Sequence, residues 1–296
     1  MLLLGCFLIA QSQDSGIIYM SVDDGQNWTR ADNGLPDDAL ANDFVLFKNT
    51  LYVATEQHGI YRSNDRGANW QPANFGLRPQ QKVDALAAGA TTLFAGTYTH
   101  GVYVSLDGGQ SWLPANNGLT NLTIRSLDIR GESIYAGTSD GLFLSTDNAR
   151  SWQRLTESMQ INRLVFMDDE LIVATHKGVF LSKDHGKNWQ PAYNQGAIRD
   201  LTVHGKELYA LDFNARTLKS NDQGKSWLQC FVADDDFIST LLSLGSRLFA
   251  SRLSGLFFSY SNGLSWEKIP ATIPIFKELK RLSDGTLIAA RGVDGC

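Results

Sequence analysis

The sequence predicts an all-β fold, a seven-bladed β-propeller with four-stranded blades. Seven tryptophans (Trp28, Trp70, Trp112, Trp152, Trp189, Trp227 and Trp266) punctuate the chain. They recur about every forty residues, the period of one four-stranded blade. Each closes the same octet, Ser-x-Asp-x-Gly-x-x-Trp, and short apolar or alternating runs flank every octet.

The octets are nearly uniform. Ser21, Asp23, Gly25 and Trp28 form the first; Ser63, Asp65, Gly67 and Trp70 the second; Ser105, Asp107, Gly109 and Trp112 the third. The fourth keeps Ser145, Asp147 and Trp152 but has Ala149 at the glycine position. Ser182, Asp184, Gly186 and Trp189 make the fifth, and Ser220, Asp222, Gly224 and Trp227 the sixth. The seventh keeps Ser259, Gly263 and Trp266 but has Ser261 in place of the aspartate. Such a pattern suits a tight hairpin. The carboxylate accepts backbone N–H bonds within the turn, glycine supplies a positive φ, and tryptophan buries a large surface between neighbouring blades. Residues repeated seven times serve stacking rather than a reaction, so the octets are read as structural. The fourth and seventh turns are expected to be the weaker ones.

The strands around the octets repeat as well. Inner strand A reads Ile124–Leu127 in one copy and Ile198–Leu201 in another, and strand B follows as Leu93–Thr97 or Ile134–Thr138. Its unbroken apolar run suits burial on both faces, whereas strand C alternates, as in Gly101–Ser105. The last A and B strands fall near Phe276–Leu282 and Leu287–Arg291, with no octet after them. Ile17–Ser21 and the Trp28 region therefore supply the missing outer strands, closing the ring and removing exposed sheet edges. The main domain is drawn at residues 13–296. Residues 1–12 have two readings. The apolar run from Met1 to Ala10, with Leu-Leu-Gly-Cys6, suits a signal or lipoprotein remnant, although no Lys or Arg precedes it. Phe7–Ala10 equally aligns with strand B of the next repeat, Leu51–Ala54.

With 31 acidic against 26 basic side chains and no basic block, the chain is not expected to bind nucleic acid. Cys6, Cys230 and Cys296 form neither a disulfide framework nor a zinc site. No cofactor, metal or membrane span is expected, and the chain reads as a monomer.

The octets resemble the Asp-box, or BNR, repeat over nearly the whole chain. That repeat is shared by sialidases, xyloglucan-active glycoside hydrolases, the sortilin family and photosystem II assembly factors. The segment beginning Asn116-Asn-Gly-Leu119 is similar to bacterial secreted propellers. The resemblance implies the fold and an extracytoplasmic setting: secreted, periplasmic or lipid-anchored. Activity does not follow from it, because this superfold hosts many functions.

In such a propeller the octet turns lie on one face, and the D–A and B–C loops on the other. Functional residues are expected on that second face, around the central tunnel. Just ahead of the core Leu or Phe of each inner strand stand Asn42, Asp84, Arg125, Asn162, Arg199, Ser239 and Lys277. Their equivalent positions predict a polar ring at the tunnel mouth. The B–C loops add His58, Tyr98, His100, Asp140, His176 and Arg252. The longer post-Trp segments of the first three repeats predict an enlarged rim on that side.

The leading functional reading is a non-catalytic binding or assembly propeller that recognises a protein or glycan, with acidic ligands favoured by the ring's cations. The alternative is a glycoside hydrolase using paired carboxylates in a cleft, Asp84 with Asp200 or Glu278. Against the alternative, the Arg-Ile-Pro motif of sialidases is missing, Lys268-Ile-Pro270 being the nearest approach. Sialidases have six blades, and xyloglucanases pair two propellers.

Overall fold

A computed structural model describes residues 16–214, 216–230, 238–270 and 274–292. Met1–Ala10, with both readings of the N-terminal segment, lies outside the described residues, as do Cys6 and Cys296. Cys230 is a free thiol, and burial pushes its pKa up to about 12. The described strands form seven four-stranded antiparallel sheets. Blade 1 comprises Ala41–Phe47, Thr50–Thr55, Ile60–Ser63 and Gln71–Pro72. Blades 2 to 6 repeat that order, with inner strands Val83–Ala88, Ile124–Arg130, Ile161–Met167, Ile198–His204 and Ile238–Leu244.

Blade 7 joins the two ends of the chain. Ile18–Ser21 and Thr29–Arg30 complete a sheet whose inner strands are Phe276–Arg281 and Leu287–Arg291. Ile18 opposes Ala290 and Ser21 opposes Leu287, so the closure lies where the sequence places it. The middle strands are buried along nearly their whole length, as in Leu93–Thr97. Apolar clusters fill the spaces between blades: one joins Phe44 and Trp70 to Ile18 and Ile288. Each middle strand is hydrogen-bonded on both sides and packed on both faces.

The octet turns match their expected chemistry. Asp23 Oδ1 accepts from the Ser21 hydroxyl at 2.8 Å and from the Asn27 N–H at 2.9 Å. Ser21 Oγ in turn accepts the Gly25 N–H at 2.9 Å. These bonds hold the carboxyls of Asp23, Asp65, Asp107, Asp147, Asp184 and Asp222 down at about 2. The two departures keep the same turn. Ala149 adopts a positive φ of 64°, close to the 75–88° of the octet glycines, and its N–H donates to Ser145 Oγ at 2.9 Å. Ser261 Oγ accepts the Ser265 N–H at 2.8 Å, the role the first aspartate oxygen plays elsewhere.

The tryptophans divide into two groups. Trp70, Trp112 and Trp152 are 3%, 1% and 6% exposed. Each indole N–H reaches the preceding blade's connector, donating to the carbonyls of Ala31, Ala73 and Ala115. Trp28, Trp189, Trp227 and Trp266 are half-buried, and each donates to the glycine carbonyl of its own octet. The expectation of seven equivalent inter-blade indoles is therefore corrected. The cause lies in the longer connectors, residues 31–40, 73–82 and 115–123. Their Asn33-Gly34, Phe75-Gly76 and Asn117-Gly118 turns fold onto the next tryptophan, whose backbone N–H donates to Asn33, Phe75 or Asn117. The extra length packs apolar side chains between blades, Leu35, Leu77 and Leu119 among them.

Candidate functional site

Every inner strand carries a β-bulge at the same place. The register slips between Ala41 and Asp43, Val83 and Ala85, Ile124 and Ser126, and Ile161 and Arg163. It slips likewise between Ile198 and Asp200, Ile238 and Thr240, and Phe276 and Glu278. The skipped residues are the seven members of the ring read from the sequence. A bulge leaves its extra residue outside the ladder and re-aims it, here toward the tunnel mouth.

Six of the seven line one cavity of about 320 Å³: Asn42, Asp84, Arg125, Asn162, Arg199 and Lys277. Lys82, Tyr98, Phe213 and Glu278 complete its wall. Ser239 is spent elsewhere, its hydroxyl donating to the Phe276 and Ser251 carbonyls. His58 and His100 do not line the cavity. His58 Nε2 stands 2.9 Å from Asp38, and His100 Nδ1 is 2.8 Å from the Thr99 hydroxyl. Asp140 is tied to Arg154 and Ser158, and His176 accepts the Gln160 N–H.

The cations of the ring differ in what they hold. Arg199 donates to the carbonyls of Ile238, Ser239 and Asp212, so it knits blade 5 to blade 6. Lys82 is neutralised, 2.7 Å from Glu56 and 3.5 Å from Asp84. Arg125 uses its Nε on Asn162 Oδ1 at 3.1 Å. Lys277 Nζ donates to Asn42 Oδ1 at 2.9 Å, and burial lowers its pKa. Burial also raises the Asp84 carboxyl, against the pull of Lys82. Two aromatics stand on the wall three blades apart: Tyr98, 47% exposed and stacked under Lys82, and Phe213, 59% exposed.

One and three residues further along the inner strands lies a second charged layer, of which the sequence singled out Asp200 and Glu278 but not Asp43, Asp128, Arg163 or Lys280. Lys280 pairs with Asp43 at 2.8 Å, and Arg163 approaches Asp200 at 3.6 Å. Glu278 feels the charges of both pairs, and burial pushes its carboxyl up to about 7. The signal was available: residues one and three places after the bulge read Asp43, Arg163, Asp200, Glu278, then Asp128 and Lys280.

Residues 5–117 match the DUF6242 β-propeller domain. No curated protein matches the chain. Among solved structures, YCF48 bound to the D1 peptide is similar at 14% identity and TM-score 0.71, over 86% of this chain and 94% of that one. The extracellular domain of the one component system BT4673 from B. thetaiotaomicron is similar at 13% identity and TM-score 0.71, over 88% of this chain. A GH74 xyloglucanase from Xanthomonas campestris is similar at 15% identity and TM-score 0.70, over 91% of this chain. This chain is a seven-bladed β-propeller. It spans only 38% of the B. thetaiotaomicron chain and 54% of the xyloglucanase, and at these identities the likeness is one of fold. The neighbours of this propeller include both a peptide binder and a glycoside hydrolase. Among the described residues no helix is long and apolar enough to cross a membrane.

Proposed function

We propose that this protein is a binding propeller outside the cytoplasm, which captures an acidic segment of a protein partner at the tunnel mouth. The observation that carries this reading is the cavity's unequal set of cations. Arg199 and Lys82 are already engaged, whereas Arg125 and Lys277 each hold only a neutral amide. A carboxylate would give Lys277 the anionic partner its half-buried position lacks, and charge-assisted hydrogen bonds are the strong ones. Tyr98 and Phe213 offer apolar faces for the ligand's side chains on opposite walls. The similarity to a propeller bound to a peptide supports a protein partner.

The test is binding of a synthetic peptide, acetyl-Asp-Glu-Asp-Glu, by the wild type and by the double variant Arg125→Ala, Lys277→Met. The double variant is expected to lose at least about tenfold in affinity, since each charged contact contributes roughly 1.5–3 kcal/mol. Equal binding by both proteins would overturn the reading. A second reading has one observation in its favour: Asp84 and Glu278, both with raised carboxyl pKa values, line the same cavity. A hydrolase needs such an acid. Turnover of aryl glycosides that Glu278→Gln abolishes would replace binding with catalysis.

A further inference from the structure

We infer that the tunnel-mouth site is proton-gated: Glu278, in its wall, must carry a proton for an acidic ligand to be held. This rests on the binding reading above and adds its regulation. The argument begins with charge pairing in the tunnel. Below the ring, blades 1, 3, 4, 5 and 7 contribute Asp43, Asp128, Arg163, Asp200, Glu278 and Lys280. Four carboxylates thus share two cations. Lys280 is taken by Asp43 at 2.8 Å, and Arg163 stands 3.6 Å from Asp200. Asp128 receives the Ile129 N–H but has no cation of its own. Glu278 has neither an ion pair nor a side-chain hydrogen bond among the described residues, although it faces the cavity.

A half-buried carboxylate without an ion pair, set in the field of two other carboxylates, is costly to ionise. The groups around Glu278 pull in both directions. Arg163 from blade 4 and Lys280 on its own strand favour its charge; Asp43 from blade 1 and Asp200 from blade 5 oppose it, and burial opposes it most. Lys277, its neighbour in sequence, is the cation assigned to the ligand, and Lys277 already feels the field of Glu278, Glu56 and Asp84. Below the titration of Glu278, the carboxyl is neutral and Lys277 faces the ligand. Above it, a new negative charge lies in the wall of a site built for an anion. Ligand carboxylate and Glu278 then compete for one lysine, and the ligand is released.

Linkage sets the size of the effect. If the ligand binds only the protonated form, affinity falls by up to tenfold per pH unit above the Glu278 pKa. The experiment measures the Kd of acetyl-Asp-Glu-Asp-Glu from pH 5.5 to 8.5, at constant ionic strength, for wild type and Glu278→Gln. The peptide's own carboxylates are ionised throughout this range. The wild type is expected to weaken about tenfold or more between pH 6.5 and 8.5, and Glu278→Gln to show a flat profile. A parallel titration of carboxyl ¹³C shifts in glutamate-labelled wild type, with the glutamine variant as assignment, reads Glu278 without any ligand. A Glu278 signal that titrates near 4.5 overturns the gate whether or not peptide binds. Peptide binding with the same pH profile in both proteins also overturns it, while leaving the binding site standing. A falling profile in both proteins would assign the proton to another group of the wall, Asp84 or Lys277, and overturn the gate. No peptide binding at any pH by either protein overturns the binding reading itself, and with it the gate.

Discussion

The blade interfaces closed by Trp70, Trp112 and Trp152 and those closed by Trp189 and Trp227 use one octet to two different ends. In the first group the previous blade's connector, residues 31–40, 73–82 or 115–123, folds a Gly-Leu turn over the indole. The backbone locks it, as where the Trp112 N–H donates to Phe75 at 2.9 Å and its indole N–H to Ala73 at 2.9 Å. In the second group the connectors shorten to residues 155–160 and 194–197, no turn reaches the indole, and the N–H folds back on its own octet. Trp227 still meets Tyr193 of the preceding blade, edge to face, at 6.0 Å. The comparison teaches that the octet sets the turn, while the connector of the neighbouring blade decides how much of the tryptophan's surface contributes to stability.

The largest expected effect separates the two groups directly. Trp112→Ala should destabilise by roughly 3–5 kcal/mol, the range for a buried aromatic, and Trp227→Ala by only about 1–2 kcal/mol, because part of its surface already faces water. Denaturant melts of both variants check this; equal losses would dissolve the distinction.

Backbone glycines sharpen it. Gly76 has φ 91°, and a Cβ there would run into the Trp112 carbonyl oxygen. Gly108 has φ 70°, with nothing within 4 Å of its Cβ position. Gly76→Ala is expected to cost about 3 kcal/mol, from strain plus clash, and Gly108→Ala about 1 kcal/mol, from the positive φ alone. Thermal melts that rank them in the opposite order would show that the Gly-Leu turn moves aside freely.

The smallest effect concerns the octets common to both groups. Ser261→Asp should restore the second acceptor oxygen and raise Tm by about 1–3 °C near neutral pH. The six natural octet aspartates have carboxyls lowered from 3.8 to about 2. A lowered folded-state pKa gives stability that is complete above the unfolded value and lost as pH falls through the folded one. The gain from Ser261→Asp should therefore be full at pH 5 and vanish between about pH 4 and 2. A gain that persists at pH 2 would mean the carboxylate does not act through these bonds. Glu278 carries the opposite sign: its raised carboxyl contributes stability below the unfolded value, lost as pH rises from 4.5 through about 7.

Much of this was legible in the residues. Seven octets, their hairpin chemistry, the pairing of Ile18–Ser21 with Leu287–Arg291 and the ring from Asn42 to Lys277 all follow from spacing, because a repeat places equivalent residues at equivalent points of every blade. The ring's location was readable, but its division of labour was not. Arg125 and Arg199 look alike in Ile-Arg-Ser-Leu and Ile-Arg-Asp-Leu, yet one guanidinium reaches a side-chain amide and the other is consumed by carbonyls of the next blade. His58 and His100 belong to the right loops and fall outside the cavity. Phe213 follows the middle strand of its blade as Tyr98 does in blade 2, and Lys82 directly precedes an inner strand, yet equivalent position alone does not tell which of seven such side chains reach the cavity. Spacing along one chain determined the turns, the strands and the order of closure, since these are local or repeated interactions. Only the closed ring decided which indoles are covered, which cations are spent and which carboxyls are left without an ion pair, because those outcomes depend on residues tens to hundreds of positions apart that meet across a blade boundary or a tunnel, as Lys280 meets Asp43.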